Sequence, residues 1–393
     1  MRPRYLAQAI MEDLPEKMVI LGGPRQVGKT TLARMISAGF RYPVYLNWDN
    51  RRHRRTILDG SWSPDADLVI LDEVHKQEGW RSLVKGYWDT RPEGQAMVVT
   101  GSARLDILRR SGESMLGRFV YYTLHPFSLA ELAWGPPPDH AGPAFPIRPR
   151  FDRSEPRTLE RLLRFGGFPE PYLKAEERYS RRWRLQREEA LIRQDVLSLE
   201  SVQRLTKLEQ LVLVLGDCVA APLSLLSLAR DLEVSPKTVK SWVNLLERNC
   251  FCFTIPPHSG NIRRSLRKRR KLYLWDWSAV SRPGPRLENL VASHLLKAVH
   301  YLRDRLGYRA GLWYLRDAEG REVDFLVTVE RKPAILLEVN GSAATEPAAL
   351  SNFRRQLDLD RAYLVVGTGG VDSSDRGNSI RTISADRFLA SLV

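Results

Sequence analysis

A glycine-rich segment that ends in lysine and threonine directly follows an apolar run. Residues Gly23 to Thr30 read Gly-Pro-Arg-Gln-Val-Gly-Lys-Thr, and residues 18–21 before them read Met-Val-Ile-Leu. Glycine lets successive backbone N–H groups turn toward an anion, and a helix that follows directs its positive end at the same oxygen atoms. The spacing G-x-x-x-x-G-K-[ST] therefore predicts a loop that holds the phosphates of a nucleoside triphosphate.

Side-chain chemistry gives roles within this loop. Lys29 is expected to neutralise the β and γ phosphates, and the Thr30 hydroxyl is expected to bind Mg²⁺. A helix is expected from Thr30 to Ile36, with its apolar residues against a sheet. The residues predicted to contact ATP are Gly23, Pro24, Arg25, Gln26, Val27, Gly28, Lys29, Thr30 and Thr31.

Two acidic residues end a second apolar run. The residues from Leu68 to Leu71 are typical of a parallel strand that is buried on both faces, and Asp72 and Glu73 follow them. Asp72 is predicted to bind Mg²⁺ through water, and Glu73 to polarise the attacking water. Two solvated acids at a strand end are the alternative. Because the pair follows a phosphate loop by about 40 residues, hydrolysis of ATP is favoured over binding alone.

Two further residues are candidates for contact with the γ-phosphate. Ser102 comes after the apolar run 96–99 and is interpreted as a sensor, although a strand-ending turn explains it as well. Arg118 precedes the run 119–122 and is interpreted as an arginine that reaches the nucleotide of a neighbouring subunit. The alternative for Arg118 is an ordinary surface arginine. The first interpretation requires an oligomer.

Composition limits the class of protein. The chain has 393 residues, 43% of them hydrophobic, which is enough for two or three domains with sizeable cores. Its net charge of +15 favours association with polyanions. Its three cysteines, Cys218, Cys250 and Cys252, form neither a disulfide framework nor a metal-type spacing, which indicates a reducing compartment.

Neither a secretory signal nor a membrane span is expected. The first 13 residues begin with positive charge but lack an uninterrupted apolar core. Residues 211–229 are mostly apolar, yet Gly216, Asp217 and Pro222 fall in their middle, which favours two short buried helices. We therefore expect a cytoplasmic protein.

The pattern changes three times along the chain. Residues 1–135 alternate apolar strands with helical segments, as in a parallel sheet with crossover helices. Residues 136–156 are proline-rich and are assigned to a linker or insertion. Residues 157–257 are helical, and the helix-turn-helix pattern from Ser224 to Leu246 with the strand after it favours a winged helix, either DNA-binding or purely architectural.

A basic run opens the last region, 258–393. Seven of the nine residues from 263 to 271 are positively charged, a density suited to the phosphate backbone of DNA, although a solvated loop is the alternative. The predicted nucleic-acid contacts are Arg263, Arg264, Arg267, Lys268, Arg269, Arg270 and Lys271.

Together these motifs, with His125-Pro126-Phe127-Ser128 and Gly166-Gly167-Phe168-Pro169, resemble one family of prokaryotic ATP-binding proteins. The resemblance implies an α/β fold: a P-loop NTPase domain of AAA type with an additional strand, then a helical winged-helix region and a restriction-endonuclease-like α/β domain. In that family the last domain carries an acid on a helix, an Asp on a strand, and Glu-x-Lys.

The corresponding residues here are Glu288, Asp324 and Glu338. If a hairpin turn is centred near Arg331, Asp324 and Glu338 face each other and could hold Mg²⁺. Asn340 stands where the family has its lysine and cannot supply a positive charge. A degenerate nuclease fold that still grips DNA is therefore favoured over an active nuclease.

Two main hypotheses follow for function. The first is an oligomeric motor, a hexamer by preference, that uses Mg²⁺ and ATP to move along DNA or remodel it. The second is a signalling or defence switch with a partner protein, in which hydrolysis resets a conformational state. An ATP-regulated nuclease is a third possibility, and it requires a metal at Asp324 and Glu338.

Overall fold

The computed structural model describes residues 4–101, 115, 117–137, 145, 151–192, 202–258, 269–341, 347–374 and 380–393. Five residues with predicted roles lie outside these ranges: Ser102, Arg263, Arg264, Arg267 and Lys268. The chain divides into two compact units. The first consists of Met1–Pro126 with Arg248–Cys250, and the second of Phe127–Glu247 with Phe251–Val393.

The first unit is a parallel sheet with helices between its strands. Its strands are β1 (Met18–Gly22), β2 (Pro43–Asn47), β3 (Leu68–Asp72), β4 (Ala96–Thr100) and β5 (Phe119–Thr123). Its helices are α1 (Ala7–Asp13), α2 (Lys29–Ser37), α3 (Arg51–Asp59) and α4 (Trp80–Thr90), and a short 3-10 helix covers Val74–Lys76. The predicted parallel sheet with crossover helices is confirmed.

Lateral order in this sheet is β2-β3-β4-β1-β5. The three inner strands are buried at every position because they are the continuous apolar runs, whereas the edge strands β2 and β5 are partly exposed. The register pairs Leu21 with Thr100, Thr100 with Asp72, and Asp72 with Asn47. The carboxyl ends of four neighbouring strands therefore meet at one edge, beside the loop that follows β1.

The second unit begins with helices. They are α5 (Leu129–Trp134), α6 (Pro156–Phe165), α7 (Pro169–Lys174), α8 (Glu177–Ala190), α9 (Val202–Leu215), α10 (Leu225–Asp231) and α11 (Pro236–Arg248). Helix α5 packs in this unit, where the Trp134 indole N–H donates to the Ala390 carbonyl over 3.0 Å. The first unit consequently ends at Pro126, before the boundary expected at residue 135.

Two strands, β6 (Cys252–Ile255) and β7 (Lys271–Leu274), follow α11 and pair antiparallel. The segment before α10 lies along the other side of β7, with bridges from Val219 to Leu272 and from Pro222 to Lys271. The apolar stretch 211–229 is thus divided between α9, this segment and α10, in agreement with two short helices. Among the described residues, no helix combines the length and the apolar character that crossing a bilayer requires.

The remaining elements form a mixed sheet with helices around it. They are α12 (Pro283–Asp304), β8 (Ala310–Arg316), β9 (Glu322–Val329), β10 (Lys332–Asn340), α13 (Ala348–Gln356), β11 (Ala362–Val366), β12 (Asp372–Ser374), β13 (Ile380–Ser384) and α14 (Ala385–Ala390). The strand order is β12-β13-β11-β10-β9-β8. Strands β8, β9 and β10 form an antiparallel meander, and β10, β11 and β13 run parallel.

The turn between β9 and β10 sets the register of two predicted site residues. Glu330 and Arg331 have φ of 50° and 65°, as a two-residue hairpin turn requires. The register then shifts by one residue between Pro333 and Ile335, so that Leu337 pairs with Phe325. One step farther on, Glu338 lies opposite Asp324, as the sequence predicted.

A buried polar network ties α5 to α12. The Leu129 N–H donates to Nε2 of His294 over 2.9 Å, and the other ring nitrogen, Nδ1, lies 2.8 Å from the Leu290 carbonyl oxygen. The Lys297 ammonium lies 2.6 Å from the Glu131 carboxylate, with both side chains 2% exposed. Burial, assisted by the charge of Lys297, lowers the pKa of His294 to about 3. The imidazole is therefore neutral in the folded chain at neutral pH.

This network predicts an acid sensitivity. Below pH 6.5 the unfolded chain protonates His294 while the folded chain does not, so stability falls as the pH falls. Between pH 7.5 and 5.5 this histidine should cost about 1.4 kcal/mol of unfolding free energy. Urea unfolding followed by circular dichroism measures the loss. His294→Gln keeps an acceptor for Leu129 and should show a smaller loss than the wild type; equal losses would contradict the assignment.

Candidate nucleotide-binding site

The loop from Gly23 to Gly28 has a conformation that depends on glycine. Gly23 and Gly28 have φ of 131° and 98°, and Gln26 has φ of 61°. A Cβ at Gly23 would lie 2.4 Å from the Leu124 carbonyl oxygen. Helix α2 begins at Lys29, one residue earlier than predicted, with Gly28 at its N-cap position. The side chain of Thr31 is exposed, so its predicted contact with the nucleotide stays a prediction.

Lys29 folds back over the loop. Its ammonium donates to the carbonyl oxygens of Gly23 over 3.0 Å and Pro24 over 2.7 Å, and the residue is 7% exposed. Burial lowers the pKa of Lys29 to about 8, and the Glu73 carboxylate opposes part of this shift. The positive charge of Lys29 therefore lies inside the curved loop. Among the described residues, its hydrogen bonds there go to backbone carbonyl groups, which are uncharged.

Asp72 is the centre of a hydrogen-bond network at the end of β3. Its Oδ2 accepts from the Thr30 hydroxyl over 3.0 Å, the Tyr45 hydroxyl over 2.5 Å and the Asn47 amide over 3.1 Å. Its Oδ1 accepts from the buried Thr100 hydroxyl. Carboxylate and hydroxyl oxygens are ligands that Mg²⁺ prefers, so Thr30 and Asp72 fit the predicted metal role.

Three residues of this network were missed by the sequence analysis. Tyr45 and Asn47 lie on β2 and Thr100 ends β4, the strands on either side of β3. A parallel sheet brings polar residues at the ends of adjacent strands together, so position in the strand was an available signal. The lateral order of the strands was still needed to identify them.

Glu73 has a constrained backbone and charged neighbours. Its φ is 61°, and its carboxylate lies 3.4 Å from the Lys76 ammonium and 3.8 Å from Nε2 of His75. Its backbone N–H donates to the Thr100 carbonyl over 3.0 Å. The structure thus fixes Glu73 beside the Asp72 network, and its action on water stays a prediction.

Arg118 lies at the opposite end of the sheet from the loop of its own chain. It immediately precedes β5, whose first residue, Phe119, pairs in parallel with the first residue of β1. A five-residue strand, about 16 Å long, separates the two ends. The guanidinium forms two hydrogen bonds to Asp89, of 2.6 and 3.2 Å. Arg118 therefore lies too far from the loop of its own chain to contact a nucleotide there, and its action on a neighbouring subunit stays a prediction.

A buried arginine near the amino terminus forms hydrogen bonds with the phosphate loop and with the segment after β5. The guanidinium of Arg4, 4% exposed, donates to the Val27 carbonyl over 2.8 Å and to the His125 carbonyl over 2.5 Å. The Tyr5 hydroxyl donates to the Thr123 carbonyl over 2.7 Å. Sequence reasoning missed both residues, because a basic amino terminus carries no local signal of burial.

Comparison with known families agrees with this geometry. Residues 15–133 match a family model described as an AAA domain. Residues 15–133, which contain the P-loop, are therefore similar to AAA domains. Residues 156–282 and 283–386 match two domains of unknown function, DUF8612 and DUF4143. These matches assign no fold or activity to the region after the AAA domain, where the winged helix and the nuclease-like fold stay predictions.

Several relatives and structures are similar to the whole chain or to most of it. An uncharacterized protein of Methanocaldococcus jannaschii is 22% identical over 97% of this chain and 87% of its own length. An uncharacterized protein of Mycobacterium tuberculosis is 22% identical, over 95% and 81%. A Walker-type ATPase of Pyrococcus abyssi has TM-score 0.40 and 14% identity, covering 72% of this chain and 98% of that one. A variant of Thermotoga maritima RuvB has TM-score 0.29 and 18% identity, covering 63% of this chain and 86% of that one.

A second group of predicted residues comes together outside the AAA domain. Glu288 on α12 and Asp324 on β9 pair with the ammonium of Lys271, which is 1% exposed, and Glu338 on β10 accepts a hydrogen bond from the Asp324 backbone N–H. The predicted contact between Lys271 and DNA is therefore wrong, because this side chain is buried in ion pairs. Within the described residues, no group of His, Cys, Asp and Glu side chains has the arrangement of a metal site.

Two residues of the basic run border a groove. Arg269 is exposed, and Arg270 is half-buried with its guanidinium 3.2 Å from the Thr254 hydroxyl. The groove, of about 570 Å³, is lined by the start of α10, by α11 and by Thr254 of β6, and Lys240 and Asn244 are among the α11 residues. This arrangement leaves Arg269, Arg270 and Lys240 on one surface of the second unit.

The packing of Gly23 predicts a specific loss. Gly23→Ala would force a methyl group against the Leu124 carbonyl at a φ that alanine rarely adopts, so we expect unfolding free energy to fall by about 1–3 kcal/mol and nucleotide binding to be lost. Fluorescent-nucleotide titration and thermal unfolding measure both effects. Gly94→Ala is the matched control, since Gly94 also has positive φ but has open space around it. Equal behaviour of the two variants would contradict the role of the contact.

Proposed function

We propose that this AAA-type protein is a Mg²⁺-dependent ATPase that binds DNA and couples ATP hydrolysis to movement along DNA or remodelling of it. The observation that carries the ATPase proposal is the hydrogen bond from Thr30, at the start of α2, to the buried Asp72 carboxylate at the end of β3. It joins the phosphate loop to the acidic strand end, which are the two parts that phosphoryl transfer from ATP requires.

Each residue of the site has a role that follows from its position. Lys29 would exchange its carbonyl partners for phosphate oxygens, and the amino end of α2 would face the same charge. Thr30 and Asp72 would hold Mg²⁺, which when bound neutralises charge on the phosphates. Glu73, one residue beyond the strand, would orient the attacking water. Tyr45, Asn47 and Thr100 would keep the Asp72 carboxylate in place.

The position of Arg118 supports a ring-shaped homo-oligomer. Since it lies a strand length away from its own loop, it could stabilise the transition state only on a neighbouring subunit, as a trans-acting arginine does. Its ion pair with Asp89 would have to open for this contact. A homo-oligomer, preferably a hexamer, is therefore part of the proposal.

The second unit supports DNA binding by its topology and charge. The order of elements in this part of the chain is that of a winged helix: α9, the paired segment 219–223, α10, α11, β6 and β7. Most of the basic run lies in the sequence between β6 and β7, outside the described residues. Arg269 and Arg270 at its end, with Lys240 on α11, would contact the phosphate backbone.

The ATPase proposal predicts three results from one phosphate-release assay. Lys29→Ala should lower turnover to background, because the loop loses its cation. Arg118→Ala should lower turnover by about 1,000-fold while nucleotide binding is retained. Arg55→Ala removes an exposed arginine that forms a longer ion pair with Asp59, and it should have no effect. Wild-type turnover in Lys29→Ala would refute the proposed site.

The DNA proposal predicts a change in salt dependence. Replacing Arg269 and Arg270 by Gln should weaken duplex binding and reduce the slope of log K against log salt by about 2, as expected for two lost phosphate contacts. The control replaces Arg178 and Arg182, which are exposed on α8, and should leave the slope unchanged. Identical slopes for the two double variants would contradict the interface.

Forked DNA separates the motor from the switch. ATP-dependent strand displacement by the wild type, together with ATPase stimulation by DNA at low salt, supports the motor. ATP-gated binding without displacement supports the signalling or defence switch instead. An ATPase rate that DNA does not change removes the motor proposal and leaves the nucleotide site intact.

A further inference from the structure

Lys271 is a fully buried cation among carboxylates from separate elements. It is the first residue of β7, and its ammonium lies 2.8 Å from Asp324 Oδ1, 2.8 Å from Glu322 Oε1 and 3.4 Å from Glu288 Oε1. Asp324 and Glu322 lie on β9, and Glu288 lies on α12. One lysine therefore connects β7 to the mixed sheet and to the long helix.

These carboxylates are held in place by further hydrogen bonds. Asp324 Oδ2 accepts from the Val339 N–H over 3.0 Å, and the Asp324 N–H donates to Glu338 Oε2 over 3.3 Å. Glu288 Oε1 accepts from the Tyr273 hydroxyl over 2.7 Å. The cluster is thus a preformed shell of oxygen atoms, and the ammonium lies inside it.

The three N–H groups of an ammonium match the three carboxylates that face it. The ammonium donates to Asp324 and Glu288 and forms an ion pair with Glu322, and the side chain is 1% exposed, so Lys271 is closed to a phosphate from solvent. A buried charge without partners is strongly disfavoured, so the ammonium and the carboxylates depend on each other as ion-pair partners. This geometry differs from that of a lysine that activates water or steadies a scissile phosphate, which must be open to the substrate.

We propose that Lys271 is a built-in cation, which takes the place of a divalent metal ion in the carboxylate shell of Glu288, Glu322 and Asp324. The native chain then binds no divalent ion there, and the shell holds β7 on the mixed sheet. The proposal does not depend on ATP hydrolysis. The carboxylates form a cation site, and the cation that occupies it is a side chain of the same protein.

The test is Mn²⁺ binding by the full chain without nucleotide, followed by the electron paramagnetic resonance signal of free Mn²⁺. Lys271→Met keeps an unbranched side chain of nearly the same length and removes its charge, so this variant should gain one Mn²⁺ site in the shell. It should bind Mn²⁺ at least about tenfold more tightly than the wild type does. Lys271→Met combined with Asp324→Asn should lose the gained site. Mn²⁺ should also raise the melting temperature of Lys271→Met and leave that of the wild type unchanged.

Two controls keep the result decisive if the single variant is unstable. A variant with Lys271→Met, Glu322→Gln and Asp324→Asn removes the cation and two facing charges together, and should fold without gaining Mn²⁺. If Lys271→Met recovers its circular dichroism only with Mn²⁺, the proposal is supported. It is overturned if wild-type Mn²⁺ binding or plasmid cleavage is abolished by Asp324→Asn, or if folded Lys271→Met binds no more Mn²⁺ than the wild type. Because no nucleotide is present, failure of the ATPase proposal would leave these outcomes unchanged.

Discussion

The buried Asp72 carboxylate is the constraint on which the nucleotide site depends. A carboxyl group that is 2% exposed must have hydrogen-bond partners, and here the donors come from α2, β2 and β4. Only a lateral order that places β2 and β4 beside β3, and β1 beside β4, brings these donors together. The same bonds that satisfy one acid therefore fix the start of α2, the loop before it and the strand ends in one arrangement.

Local sequence motifs predicted much of this site. The remaining residues could not be predicted because they depend on the lateral order of the strands. The loop, Lys29, Thr30 and Asp72 could be identified because each belongs to a contiguous motif whose neighbours in sequence are also neighbours in space. Tyr45 and Thr100 could not, because their partner is on another strand and strand order is a non-local property. Arg4 was missed for a related reason: its carbonyl partners lie 23 and 121 residues away in the chain.

The hairpin of β9 and β10 shows a prediction that was right through a different geometry. Symmetry about Arg331 placed Asp324 opposite Glu338, but the two-residue turn at Glu330 and Arg331 alone would place Asp324 opposite Leu337. The register shift near Ala334 supplies the missing residue, so the two carboxylates share a face of the sheet. Linear charge density misled the assignment of Lys271 because it does not distinguish an exposed lysine from a buried one.

Comparison of the two buried lysines shows why one site suits an anion and the other does not. Lys29 has carbonyl partners, and burial lowers its pKa to about 8 because dipoles replace the hydration of the charge only in part. A phosphate that replaced these carbonyls would bring full negative charge and strengthen the interaction. Around Lys271, burial alone would lower the pKa, but the carboxylates of Asp324, Glu288 and Glu322 raise it. Its charge is already compensated, so an incoming phosphate would meet surplus negative charge. The partners of each lysine, more than its depth, therefore determine whether it can bind a ligand.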